Sequence, residues 1–157
     1  MITARASANQ SLYLAKILLD SWRAALEAGA VPALTLQQAF LPAVQAHLGH
    51  AYSWFLLEIT DQEIPPDSDP PASTAGLSPI AEGKALPGEL REFGQLEKSG
   101  WLADMLAAPP KFSSPSPRSR GNLASPAPSA GDYADALEWS TQLDQMMSRM
   151  RDSLDEC

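Results

Sequence analysis

Cysteine is almost missing from this chain: 157 residues carry one, Cys157, at the last position. No internal disulfide can staple the fold and no thiolate cluster can hold zinc, so a reduced, cytoplasmic setting is expected. A prenylation signal needs its cysteine four residues from the end, which Cys157 is not. Long apolar runs are missing too. Lys16 and Asp20 interrupt the amino-terminal block "SLYLAKILLDSW", and no stretch nears the roughly 20 apolar residues that span a bilayer, so no membrane role is expected.

Basic residues are scarce. Eleven Lys and Arg face nineteen Asp and Glu, for a net charge of −8, and the excess acid lies in residues 61–88 and in the last 26 residues. A nucleic-acid binder presents a clustered basic face that releases counterions from phosphates. The one basic cluster here, Lys111, Arg118 and Arg120 in "KFSSPSPRSRG", sits in a proline-rich stretch and defines no groove reader. Nucleic acid is therefore not an expected partner.

Several chemical signatures are also absent. The chain has no glycine-rich phosphate loop, no G-x-S-x-G elbow and no cysteine near a histidine. The expectation is no cofactor, no catalytic residue and no enzymatic activity.

Proline is nearly absent outside two regions. Of fourteen prolines, six fall in residues 61–87 and six in residues 109–131. Such segments bury too little apolar surface to offset the entropy of ordering them, so both are expected to be flexible linkers. The apolar residues concentrate in the four blocks that remain, and their spacing is helical throughout.

The first helix is expected over about residues 7–28, capped by Ser7 or Asn9 and closed by Gly29. Leu12, Ala15, Leu19, Trp22 and Leu26 recur at three and four, and Leu14, Leu18 and Ala25 widen the apolar sector to nearly half the circumference. Two neighbours are needed to cover it. The second helix, about 35–60, has a capping-box candidate in Thr35 and Gln38 and an apolar series of Leu41, Val44, Leu48, Tyr52, Phe55 and Ile59. Pro42 predicts a kink or a fresh start inside it. A short turn joins these two as an antiparallel hairpin.

The third segment, about 88–107, carries Leu90, Phe93 and Leu96, with Leu86 just before it, on one side and Trp101, Leu102, Met105 and Leu106 on another. At about 100° per residue an unbroken helix would hold the two sets roughly 150° apart. A break at Ser99-Gly100, with Ser99 capping the second piece, turns both inward. The last helix, about 132–155, starts at Asp132 and presents a narrow stripe of Trp139, Leu143, Met146, Met150 and Leu154. Its methionines Met146, Met147 and Met150 are expected to fill the core, with an adaptable binding face as the alternative. The expected architecture is one all-α domain, an up-and-down four-helix bundle with its third helix broken.

One stretch invites a chemical reading, "HLGHAYSWFLLEI" from His47 to Ile59. His47 and His50 lie about 60° apart on a helix, but Glu58, the best third ligand, is about two turns beyond His50. One ion cannot reach all three, so no metal site is expected there. Trp54 and Leu57 form a second apolar surface beside the Phe55 stripe, flanked by His47 and Glu58. A helix that is apolar on two sides is either central in its domain or meets a partner.

At "NQSLYLAKILLDSW", "AHLGHAYSWFLLEI" and "SGWLADMLAA" the chain resembles a family of small bacterial helical proteins classed only as a domain of unknown function. The resemblance implies a bacterial cytoplasmic protein of this architecture and implies no activity. The leading expectation is a non-enzymatic interaction or scaffolding module that meets a protein partner or a second copy of itself, with His47, Trp54, Leu57 and Glu58 as the candidate surface. The alternative is a bundle that binds a small ligand or a metal through His47, Trp54 and Glu58.

Overall fold

The computed structural model describes residues 3–65, 67–77, 87–108 and 132–156. These are all-helical, with no strand: α1 spans Ala4–Ala28, α2 Ala33–Thr60, α3 Pro87–Lys98, α4 Trp101–Leu106 and α5 Tyr133–Asp155. A 3-10 turn at Thr74–Gly76 precedes α3. Residues 78–86 and 109–131, which hold much of the two proline-rich stretches, lie outside the described residues.

The α1 cap lies earlier than Ser7 or Asn9. Thr3, extended at φ −78° and ψ 158°, accepts a hydrogen bond from the Ala6 amide at 3.1 Å. Any short hydroxyl or amide side chain can satisfy a free first-turn donor, so several such residues in a row leave the start unspecified. At the other end Gly29 adopts the left-handed conformation, φ +66°, and its N–H closes on the Ala25 carbonyl at 3.3 Å. A residue without Cβ takes that conformation without strain.

α2 begins at Ala33, directly after Pro32, with no side-chain cap, so Thr35 and Gln38 lie inside it instead of at its start. Pro42 does not end the helix or start a new one. It removes one backbone donor, while Leu41 and Val44 beside it are fully buried and hold the turn in place. Packing on both sides of a single missing bond outweighs its loss.

α3 and α4 meet at Ser99-Gly100. Ser99 does not cap α4: Gly100 occupies that position at φ +122°, a conformation open to glycine and strained for any residue with Cβ. Asp132 caps α5 as half of a reciprocal pair, accepting from the Asp135 amide at 2.9 Å while the Asp135 carboxylate accepts from the Asp132 amide at 3.2 Å.

α2 is the central element, touching α1, α4 and α5. Val44, Leu48, Ala51, Tyr52, Phe55 and Leu56 on it are inaccessible to solvent. Trp22 of α1 stacks on Phe40 and meets Tyr133 edge-on, at centroid distances of 5.9 and 5.5 Å. Phe93 of α3 packs against Tyr52 and Phe55 at 6.4 and 6.2 Å. Met146, Met147 and Met150 of α5 are all buried, as core filling requires.

Two expectations change. Part of the segment 61–87 is tied to the helical body: Glu97 of α3 accepts from the Thr74 amide at 2.8 Å and from its hydroxyl at 2.9 Å. A carboxylate that captures a backbone donor and a hydroxyl together docks a loop whose composition alone predicts mobility. On α1, Leu14 lies outside the core and is 37% exposed.

Candidate functional site

His47, Trp54, Leu57 and Glu58 all lie on α2 but face different surroundings. Leu57 is buried, Trp54 packs half-buried against the core, and His47 is half-buried. Glu58 makes a two-pronged ion pair with Arg151 of α5, both contacts at 2.8 Å, with the two side chains only 13% and 14% exposed. Arg151 also donates to Asn9 of α1 at 2.8 Å and lies 6.0 Å from the centroid of the Phe55 ring. Arg5 approaches Glu58 at 3.7 Å. The Glu58 carboxylate thus joins three helices. Among the described residues no group of three or more His, Cys, Asp or Glu is arranged to hold a metal ion.

A second polar centre surrounds Glu97. The Tyr52 hydroxyl donates to Glu97 Oε1 at 2.5 Å, so one carboxylate holds both the Thr74 turn and the core of α2. Burial is the main reason that the Tyr52 phenol is held far above its ordinary range, and the Glu97 hydrogen bond and negative charge add to it. A phenol so strongly held in its protonated form is a structural donor and cannot serve as a base near neutral pH.

A groove of about 460 Å³ opens where α2, α4 and the 67–77 segment meet. Gly49 lies beside Leu106 with space left over: a Cβ added at Gly49 would stand 3.9 Å from the Leu106 Cδ2, an ordinary contact. His50 and Asp69 border the groove, whereas His47 does not, so the two imidazoles part company. At its wall Gln45 is 8% exposed. Its Nε2 donates to the Met105 and Ala107 carbonyls at 3.4 and 3.2 Å, but its buried Oε1 has no partner among the described residues. Sequence periodicity points to neither feature beyond a glycine and a glutamine inside an apolar helical pattern.

A different surface groups three of the exposed apolar side chains, while Val31, Leu34 and Leu137 lie outside it. Tyr13, Ile17 and Leu14 of α1 are 63%, 43% and 37% exposed. At about 100° per residue they share one sector, about 100° wide, with exposed Ser21, Ala24 and Ala28, and no charged residue falls inside it. Arg5, Lys16, Asp20, Arg23 and Glu27 all crowd into a neighbouring sector about 60° wide. A solvated helix face normally carries the charges, and here they are swept to one edge. That sweep is visible in the sequence and is the signal for this surface.

No described helix is long and apolar enough to cross a membrane. The profile of a family of unknown function (DUF6586) matches residues 1–157. No curated protein and no solved structure matches the chain.

Proposed function

Because the chain belongs to this family of unknown function, membership brings no activity with it, and we propose that the protein is a non-enzymatic interaction module whose contact surface is the outer face of α1. The observation that carries this reading is the uncharged sector with Tyr13, Leu14 and Ile17 exposed. Grouped apolar side chains left in water on an otherwise charged helix are the usual mark of a docking face. The α2 residues His47, Trp54, Leu57 and Glu58 serve this module from behind, by packing and by the Arg151 pair. In this reading α3 and α4 are one broken helix of an up-and-down four-helix bundle, and a chain with a single cysteine works in a bacterial cytoplasm.

The test is a photo-activatable phenylalanine analogue placed at position 13 in the native host, with position 38 on α2 as an exposed control. Covalent adducts to a protein, at 13 and not at 38, support the reading. Equal or absent adducts at the two positions refute it.

A second reading rests on the unpartnered Gln45 Oε1 beside the groove. With Asp69 also at the rim, the groove offers acceptors, so its ligand would be a small molecule bearing N–H donors, such as a primary amine. A thermal-shift series of alkylamines against the matching carboxylates tests it. Stabilisation by amines alone, lost in Gln45→Leu, supports this reading, and no shift with either series rejects it.

A further inference from the structure

We infer that the occupant of the α1 face is a second copy of this chain, with the two α1 helices packed antiparallel about a two-fold axis near residue 22. This rests on the interaction reading and names its partner. Three features of the face point the same way.

The face is divided by size. From the middle of α1 to its carboxy-terminal end it runs from large to small, with Tyr13, Leu14 and Ile17 first and Ser21, Ala24 and Ala28 after them. A parallel pair would set large on large and leave small against small. An antiparallel pair sets Ile17 over Ala28 of the other copy, with Ser21 near Ala24. Bulk then meets space on both sides of the axis, as dense packing requires. Tyr13 comes to lie beside the far turn, which carries Val31, itself 41% exposed.

The charged edge alternates in sign: Lys16, Asp20, Arg23, Glu27. In an antiparallel pair related by a two-fold axis, like edges of the two helices lie together. The register that matches large to small also sets Lys16 by Glu27 of the other copy, and Asp20 by Arg23. Four ion pairs close across the dyad. Among the described residues of one copy these side chains make only exposed pairs, Lys16 with Asp144 at 2.9 Å and Arg23 with Asp20 at 4.0 Å, which can be shared with a second copy.

The face itself carries no charged residue, so two copies of it can meet without like charges opposed. A chain with a net charge of −8 repels itself in general, but residues 1–60 balance to zero, so the pairing surface escapes that repulsion. One pair of helices gives a small interface, and dissociation at about 1–100 µM is expected.

Sedimentation equilibrium of the full chain under reducing conditions, from about 1 to 200 µM, tests the proposal over that affinity range. The wild type should move from the 16.8 kDa monomer toward twice that mass. Ile17→Glu, at an exposed position that leaves the fold intact by circular dichroism, should weaken pairing at least about 100-fold by placing a charge in the seam. Arg23→Asp should weaken it about 10-fold, and the swap Asp20→Arg with Arg23→Asp should restore it to within about 3-fold. A monomer throughout, a dimer indifferent to Ile17→Glu, or a swap that restores nothing would each overturn it. If the chain stays monomeric while position 13 labels some other protein, self-pairing falls and the interaction reading stands.

Discussion

Glu58 and Arg151, 93 residues apart in the chain, meet in a two-pronged pair that closes α5 onto α2, and Arg151 reaches on to Asn9 of α1. Removing one partner leaves the other nearly buried and short of its counter-charge. Arg151→Met should therefore cost about 2–3 kcal/mol in urea unfolding. Glu58→Gln with Arg151→Met should cost clearly less than the two single changes added together. Additive losses would mean that the pair carries no coupling.

The Tyr52 hydroxyl gives a pH dependence with a definite sign. Its folded-state pKa is raised above the ordinary phenol value near 10, so its contribution is complete below pH 10 and is lost as pH rises, because the unfolded chain ionises first. Stability measured from pH 8 to 11 should fall above about pH 10. Tyr52→Phe should lose about 1 kcal/mol at pH 8 and show a shallower decline above pH 10. Identical slopes for the two proteins would contradict this.

Two glycines should respond to alanine with opposite signs. Gly49 lies inside α2 with room for a methyl group, 3.9 Å from Leu106, so Gly49→Ala should stabilise by about 0.5–1 kcal/mol. Gly100 sits at φ +122° between α3 and α4, and Gly100→Ala should cost about 1–3 kcal/mol. Thermal denaturation of the two variants reads both signs directly.

Helical periodicity carries most of the architecture, because an apolar residue every three or four positions has few other uses. The angular mismatch of roughly 150° between the Leu90, Phe93 and Leu96 set and the Trp101, Leu102, Met105 and Leu106 set likewise locates the junction at Ser99-Gly100. What periodicity misses depends on neighbours distant in the chain. Leu14 belongs to the apolar sector of α1 by angle, yet α2 and α5 do not extend around to cover it. Glu97 draws Thr74 out of a proline-rich segment through contacts 23 residues apart, which no local pattern encodes. The helix runs through Pro42 because its flanking residues are buried, a tertiary fact. For the candidate surface, the α2 cluster is visible as residue types but not as one face, whereas the α1 face is legible in where the charges are not.

The measurement that bears most directly on the α1 face is the unfolding temperature of the wild type and of Ile17→Glu as protein concentration rises from about 1 to 200 µM. Pairing through α1 stabilises the folded chain by mass action. The wild-type midpoint should climb with concentration, the variant's should stay level, and the two should converge at the dilute end. A wild-type midpoint independent of concentration, with the variant melting far lower throughout, would show that Ile17 belongs to the core and that the face has no partner.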